Sequence, residues 1–232
     1  MIALILARGG SKRLPGKNTM PLCGKPMIRH TLETALASRK ISRVLVSTDS
    51  QDIRDMALQI SGVEAPFLRP AELASDTAQA YDVHMHAIQW LEEHEKTKIE
   101  SFCVLLPTSP LRLPEDIDGA VALFEEAKAD VVASVYRTKP LAWHLTMDEK
   151  SRKMEPLLKM DARDAVRNYQ EQEQPPVILN GSIYAIRRVF YEQSRSYFGP
   201  KTYGYEMPWS RSIDIDVIDE FRIAEALMRL RG

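Results

Sequence analysis

The chain has 232 residues, 44% of them hydrophobic and 27% charged, which is long enough for one sizeable core. Its net charge of −1 argues against bulk nucleic-acid binding, and no apolar run reaches the roughly 18–20 residues of a membrane span. Cys23 and Cys103 stand alone without CxxC or Cys/His spacing, so neither a disulfide framework nor a zinc site is expected, and a reducing cytoplasm is the default location.

Ile2–Leu6 predicts a buried strand, a short apolar run stopped by Gly9 and Gly10 and lacking the charged start and cleavage site of a signal peptide. Pro26–Ala37 predicts a helix with proline in its first turn. Val44–Ser47 reads as a strand. After it, Ile53, Met56, Ala57 and Ile60 form one helical face. Ala78–Glu95 predicts a longer helix behind the cap-like Ser75, Asp76 and Thr77; its His84 and His86 fall on different faces and read as structural. Phe102–Leu106 and Val131–Val135 predict strands on either side of a helix over Pro114–Ala127. This alternation indicates an α/β fold with a mostly parallel, Rossmann-like sheet whose ligand sits at the carboxyl ends of the strands.

Around 138–176 the rhythm breaks. Trp143, Leu145 and Met147 alternate with polar residues, and Asn168–Gln174 is polar and extended, so a small inserted flap and oligomer contact is expected there within a single domain spanning 1–232. Trp143 and Trp209 read as packing or interface residues. Strand-like segments follow at Ile183–Ile186 and Ser212–Val217, then a final helix to Arg231.

Charge is unevenly placed. Residues 1–32 contain no acid, whereas Asp214, Asp216, Asp219 and Glu220 sit close together near the other end, a pairing that suits an anionic ligand held with a metal cation. The basic residues concentrate in the loop Ala7–Asn18, ARGGSKRLPGKN. Gly9 and Gly10 allow a tight turn that presents N–H groups to an anion, and Arg8, Lys12 and Lys17 supply charge for phosphate oxygens. The loop is not a Walker A motif: five residues separate Gly10 from Gly16, and Asn18 stands where Ser or Thr would meet magnesium. Asp214 and Asp216 alternate along an extended segment, which puts two carboxylates on one face, the oxygen-rich setting that Mg2+ prefers. Asp49 reads equally as a third ligand or as a helix cap.

The loop ARGGSKRLPGKN, together with Arg69–Thr77 (RPAELASDT), Pro107–Arg112 (PTSPLR), Asn180–Tyr184 (NGSIY) and Ser212–Asp216 (SIDID), resembles the cytidylyltransferases that activate acylneuraminate (sialic-type nonulosonic) acids. The resemblance covers nearly the whole chain. It implies transfer of CMP from CTP to a nine-carbon sugar acid, with Mg2+ as cofactor, in a homodimer. It assigns the triphosphate to Arg8, Lys12 and Lys17 with Gly9, Gly10 and Ser11 beside them, and cytosine or its ribose to Asn18 and Arg69. Arg13 is a general contributor, Thr108 and Ser109 lie in the substrate loop, and Asn180 faces the sugar. Asp216, with Asp214 as fellow metal ligand, stands among the catalytic residues. Leu106 occupies a position where sialic-acid enzymes carry glutamine, and with Ile178 and Leu179 it is expected to shape an apolar pocket for a diacetamido, legionaminic-type acid. The alternatives are a 3-deoxy-manno-octulosonate cytidylyltransferase and a non-catalytic nucleotide-binding protein on the same fold.

Overall fold

The computed structural model describes residues 1–140, 143–157 and 176–231. Its centre is a seven-stranded sheet in the order β5–β4–β1–β6–β10–β7–β11. These strands are β1 (Ile2–Leu6), β4 (Arg43–Ser47), β5 (Val63–Glu64), β6 (Ser101–Leu105), β7 (Val131–Arg137), β10 (Val177–Arg187) and β11 (Thr202–Glu206). Every pairing is parallel except those of β10, which runs antiparallel to both β6 and β7.

The central strands are apolar on both faces because helices cover both. Ala3, Ile5, Val44, Val46, Cys103 and Leu105 pack under α1 (Met27–Ala37), α2 (Gln51–Leu58) and α4 (Pro114–Glu126) through residues such as Ile28, Leu32, Ile53, Ile117 and Phe124. Leu4, Leu45, Phe102 and Val104 alternate onto the other face, against α3 (Ala80–Glu95) and Tyr191 of α5 (Arg188–Ser194). A third cluster lies at the carboxyl end of the sheet. There α6 (Ile218–Arg231) brings Phe221 and Ala224 against Leu14, Leu22, Met27, Leu111 and Ile215. This cluster ties the basic loop to the acidic segment across almost the full length of the chain.

The structure moves several expected boundaries. Pro26 caps α1 instead of starting it, and ends the short β2–β3 hairpin (Pro21–Leu22 with Lys25–Pro26). The cap of α3 is Gln79, downstream of the Ser75–Thr77 turn. Ser212–Val217 is not a strand: it follows a 3-10 turn at Trp209–Arg211 and joins no sheet. Its apolar Ile213 and Ile215 alternate because they pack into the third cluster. Ile183–Ile186 is the second half of the longer β10, whose register shifts between Leu179 and Tyr184. Gly181, at φ +69°, sits in that bulge. Of the expected flap, residues 141–142 and 158–175, including Asn168–Gln174, lie outside the described residues. The remainder includes an antiparallel hairpin of β8 (Leu145–Met147) and β9 (Met154–Pro156).

Candidate active site

β1 delivers the basic loop to the carboxyl edge of the sheet, where Ala7 N donates to Ser47 O at 3.1 Å. Gly9 then passes so close to the β4–α2 turn that a Cβ there would lie 3.0 Å from Ser50 Cβ. Its N–H does not face the cavity but donates to Asp49 Oδ1 at 3.0 Å. Asp49 therefore anchors the loop, and Ser50 is the cap of α2. A Cβ on Gly10 would meet nothing within 4 Å.

Asn18 and Arg69 are buried polar residues, and both line a cavity of about 240 Å³ with Leu6, Arg8, Lys17, Leu106, Pro107 and Thr108. Asn18 Nδ2 donates to Arg8 O at 2.9 Å, which fixes the amide orientation and leaves Oδ1 buried without a partner. Arg69 is positioned by its own N–H donating to Thr48 O at 2.7 Å. Its guanidinium comes only to 3.6 Å from Asp49 Oδ1, too far for a hydrogen bond, and both Nε and a terminal nitrogen are buried unpartnered. Burial, followed by Arg8, lowers its pKa, while Asp49 opposes the shift. Both residues line one cavity, and their buried acceptor and donors lack hydrogen-bond partners, an arrangement that costs free energy.

The adjoining cavity, about 370 Å³, is lined by Arg8, Ser11, Lys12, Arg13, Lys17, Asn18, Asp76 and Asp216. Lys17 bridges the two ends of the chain, its Nζ donating to Ile215 O at 2.9 Å and to Asp216 Oδ1 at 2.8 Å. Arg13 takes the other Asp216 oxygen at 2.8 Å. Between Asp214 and Asp216, Ile215 N donates to Thr108 O at 2.7 Å. Burial raises the pKa of Asp214, Asp216 and Glu220 add to the rise, and a Thr108 hydrogen bond and Lys17 oppose it. Its Oδ1 is buried with no partner.

Three expected ligand contacts take a different form. Asn180 is buried, with Nδ2 donating to Ser212 Oγ at 2.9 Å and Oδ1 accepting from Ser134 Oγ and from Ser182 N at 3.1 Å. This amide holds the β10 bulge, although Asn180 also rims a cavity with Tyr136, Leu179, Trp209 and Asp214. Ser109 is likewise buried and donates to Asn180 O. Leu106, Ile178 and Leu179 do not line one pocket: Leu106 lines the Asn18–Arg69 cavity, Leu179 lines another with Asp214, and Ile178 is solvent-exposed. Arg112 stood in the PTSPLR segment with no assigned role. It is a fully buried cation whose guanidinium donates to Leu106 O, Ser182 O and Thr31 Oγ1, and burial lowers its pKa to about 10.

A family model described as cytidylyltransferase matches residues 2–227. The CMP-N,N'-diacetyllegionaminic acid synthase of Legionella pneumophila is 37% identical over 99% of this chain and 97% of its own length. The N-acylneuraminate cytidylyltransferase of Escherichia coli O18:K1:H7 is 34% identical over all of this chain, which spans about half (53%) of that longer protein. Among solved structures, a CMP:2-keto-3-deoxy-manno-octonic acid synthetase complexed with CTP superposes with a TM-score of 0.68 at 18% identity, covering 100% of this chain and 99% of that one. That likeness extends to the fold alone. The chain belongs to the cytidylyltransferase family.

Proposed function

We propose that the chain transfers CMP from CTP to the anomeric hydroxyl of a nonulosonic acid and releases pyrophosphate. The observation that carries this reading is the pair of unpartnered groups in the 240 Å³ cavity. Asn18 Oδ1 is an acceptor for the cytosine amino group, and the Arg69 nitrogens are donors for its ring acceptors. The neighbouring cations Arg8, Lys12 and Lys17 then lie along the polyphosphate, where they offset charge on the α-phosphate and the departing pyrophosphate. The new bond joins the sugar oxygen to the α-phosphorus as the bond to pyrophosphate breaks, and the hydroxyl proton passes to water.

Mg2+ fits the acidic segment. The orphaned, buried Asp214 Oδ1 is an oxygen donor awaiting a positive partner, and Asp216 presents a second carboxylate from the same stretch. No group of three or more His, Cys, Asp or Glu ligands forms among the described residues, so substrate oxygens and water complete the shell in this reading. When bound, the ion supplies further positive charge at the phosphates. Asp216 must then exchange Arg13 or Lys17 for the metal.

The favoured acceptor is a diacetamido acid of the legionaminic type. The 37% identical relative is named for such a sugar. Leu106, besides lining the cytosine cavity, brings its Cδ1 to 3.4 Å from where a Cβ on Gly181 would lie, beside Asp214. An acceptor there would border a side chain that can neither donate nor accept a hydrogen bond. No observation here favours the octulosonate alternative, since that likeness is one of fold. The working unit is a two-fold dimer: Leu145, Met147, Met154 and Leu157 project exposed from the hairpin region, a concentration of apolar surface that a second subunit would cover. The free thiols Cys23 and Cys103 suit a reducing cytoplasm. The test is to supply CTP and Mg2+ with legionaminic, pseudaminic, sialic and octulosonic acids and follow CMP-sugar formation. Legionaminic acid is the expected best acceptor, and failure with every acid would remove the assignment.

A further inference from the structure

Arg8 and Lys12, both assigned above to the polyphosphate, are already paired with one carboxylate. Arg8 lies 2.9 Å from Asp76 Oδ1, and Lys12 Nζ lies 2.5 Å from Asp76 Oδ2, reached across 68 positions of sequence in the case of Arg8. Among the described residues, Asp76 makes no other ion pair or side-chain hydrogen bond. It does not cap α3, whose cap is Gln79, and the turn around it is made by Ser75 Oγ donating to Glu72 O and by the Ser75–Thr77 hydroxyl pair. Lys12 and Arg8 also hold the Asp76 carboxyl below its ordinary pKa, so it stays anionic at neutral pH. All three residues line the 370 Å³ cavity.

We propose that Asp76 is the counter-anion of the phosphate-binding loop, holding Arg8 and Lys12 together in the nucleotide-free protein and yielding them to the polyphosphate. Two neighbouring cations repel each other and would splay into solvent without an anion between them. A phosphate oxygen recruiting them must displace the carboxylate, and a carboxylate left beside the bound phosphates repels them. Asp76 therefore weakens polyphosphate binding and hastens release of pyrophosphate. The inference rests on the phosphate role given to the loop.

The test compares the wild type with Asp76→Asn, a near-isosteric change at an exposed position. Binding of CTP, CMP and inorganic tripolyphosphate is measured by titration calorimetry without acceptor, alongside inhibition by pyrophosphate. Exposed ion pairs are individually weak, so the expected gain for CTP and tripolyphosphate is about three- to tenfold. CMP, with one phosphate, gains less, pyrophosphate becomes a stronger inhibitor, the gain shrinks at high salt, and Asp76→Glu restores wild-type behaviour. Unchanged or weaker CTP binding in Asp76→Asn overturns the inference, as does an equal gain for CMP and CTP. A wild type that binds neither CTP nor tripolyphosphate overturns the phosphate role of the loop, and this inference with it.

Discussion

The nucleotide side of the molecule and the region of β10 and the β8–β9 hairpin are built differently. On the nucleotide side, a loop of twelve residues is fixed by a parallel core, by the Gly9–Asp49 bond and by Lys17 reaching the acidic segment. On that side Asn18 Oδ1 and Arg69 Nε are buried without hydrogen-bond partners. On the other side stand an antiparallel bulged strand and a two-stranded hairpin with exposed Leu145, Met147 and Met154. The first region holds unpartnered buried polar atoms, whereas the second presents exposed apolar side chains. Under the proposed function, the contrast means that nucleotide recognition is built into the sheet edge of one chain. In that reading, assembly belongs to elements added around β10, and acceptor choice to the ground between Leu106 and the β10 bulge.

The sharpest way to break that contrast is at the boundary itself. Asp214→Asn should lower turnover by about a hundredfold or more, because a neutral amide is a poor Mg2+ ligand and charge stabilisation at the phosphates is lost. Melting temperature should hold or rise in this variant, since burial already disfavours the Asp214 anion. Steady-state kinetics and calorimetric melting check both halves. Next in size, Arg69→Met should cost about 10- to 100-fold in kcat/KM for CTP, the equivalent of one lost hydrogen bond to a charged group, and leave tripolyphosphate binding intact. Loss of tripolyphosphate binding would mean that Arg69 serves the phosphates instead of the base.

On the acceptor side, Leu145→Asp with Met147→Asp should shift the protein from dimer to monomer at micromolar concentration, read by light scattering. The nucleotide affinity of each chain should change little. Leu106→Gln should move selectivity toward sialic acid by about tenfold, within the range that one hydrogen bond at a substrate contributes. Equal selectivity in both proteins would separate Leu106 from acceptor choice.

The smallest effect concerns stability alone. His84 is buried against Tyr191, with Nδ1 and the hydroxyl 2.9 Å apart, and burial lowers its pKa to about 3. The unfolded chain takes up a proton near pH 6.5 that the folded chain refuses, so stability is present above that pH and falls as pH drops toward 3. Melting temperature followed from pH 7 to pH 4 should decline less steeply in His84→Gln.

Much of the nucleotide side was legible because its signals are local. Ile2–Leu6, the basic loop and PTSPLR follow one another as strand, turn and strand-end loop, and short apolar runs identify buried parallel strands well. The rest depended on distant partners. Asn180-Gly181 reads as a turn, yet in the structure it is a bulge within β10, held by Ser134 and Ser212 from elsewhere in the chain. β11, Thr202–Glu206, was missed because TYGYE has no apolar run: it is an edge strand, and Tyr205 packs where a Cβ on Gly119 would meet its ring at 2.6 Å. Ser212–Val217 mimicked a strand because Ile213 and Ile215 alternate for burial against α6. Asp49, balanced between ligand and cap, proved to anchor Gly9, a contact no spacing rule encodes.

The central claim is that Asn18 and Arg69 read cytosine, and the most direct measurement is kcat/KM for CTP against UTP with a single acceptor. Uracil presents a carbonyl where cytosine has its amino group, so it would face Asn18 Oδ1 acceptor to acceptor and leave that buried oxygen unpaired. CTP should be preferred by about a hundredfold or more, as expected where a site hydrogen-bonds a polar substrate group. Comparable turnover of UTP would contradict the account.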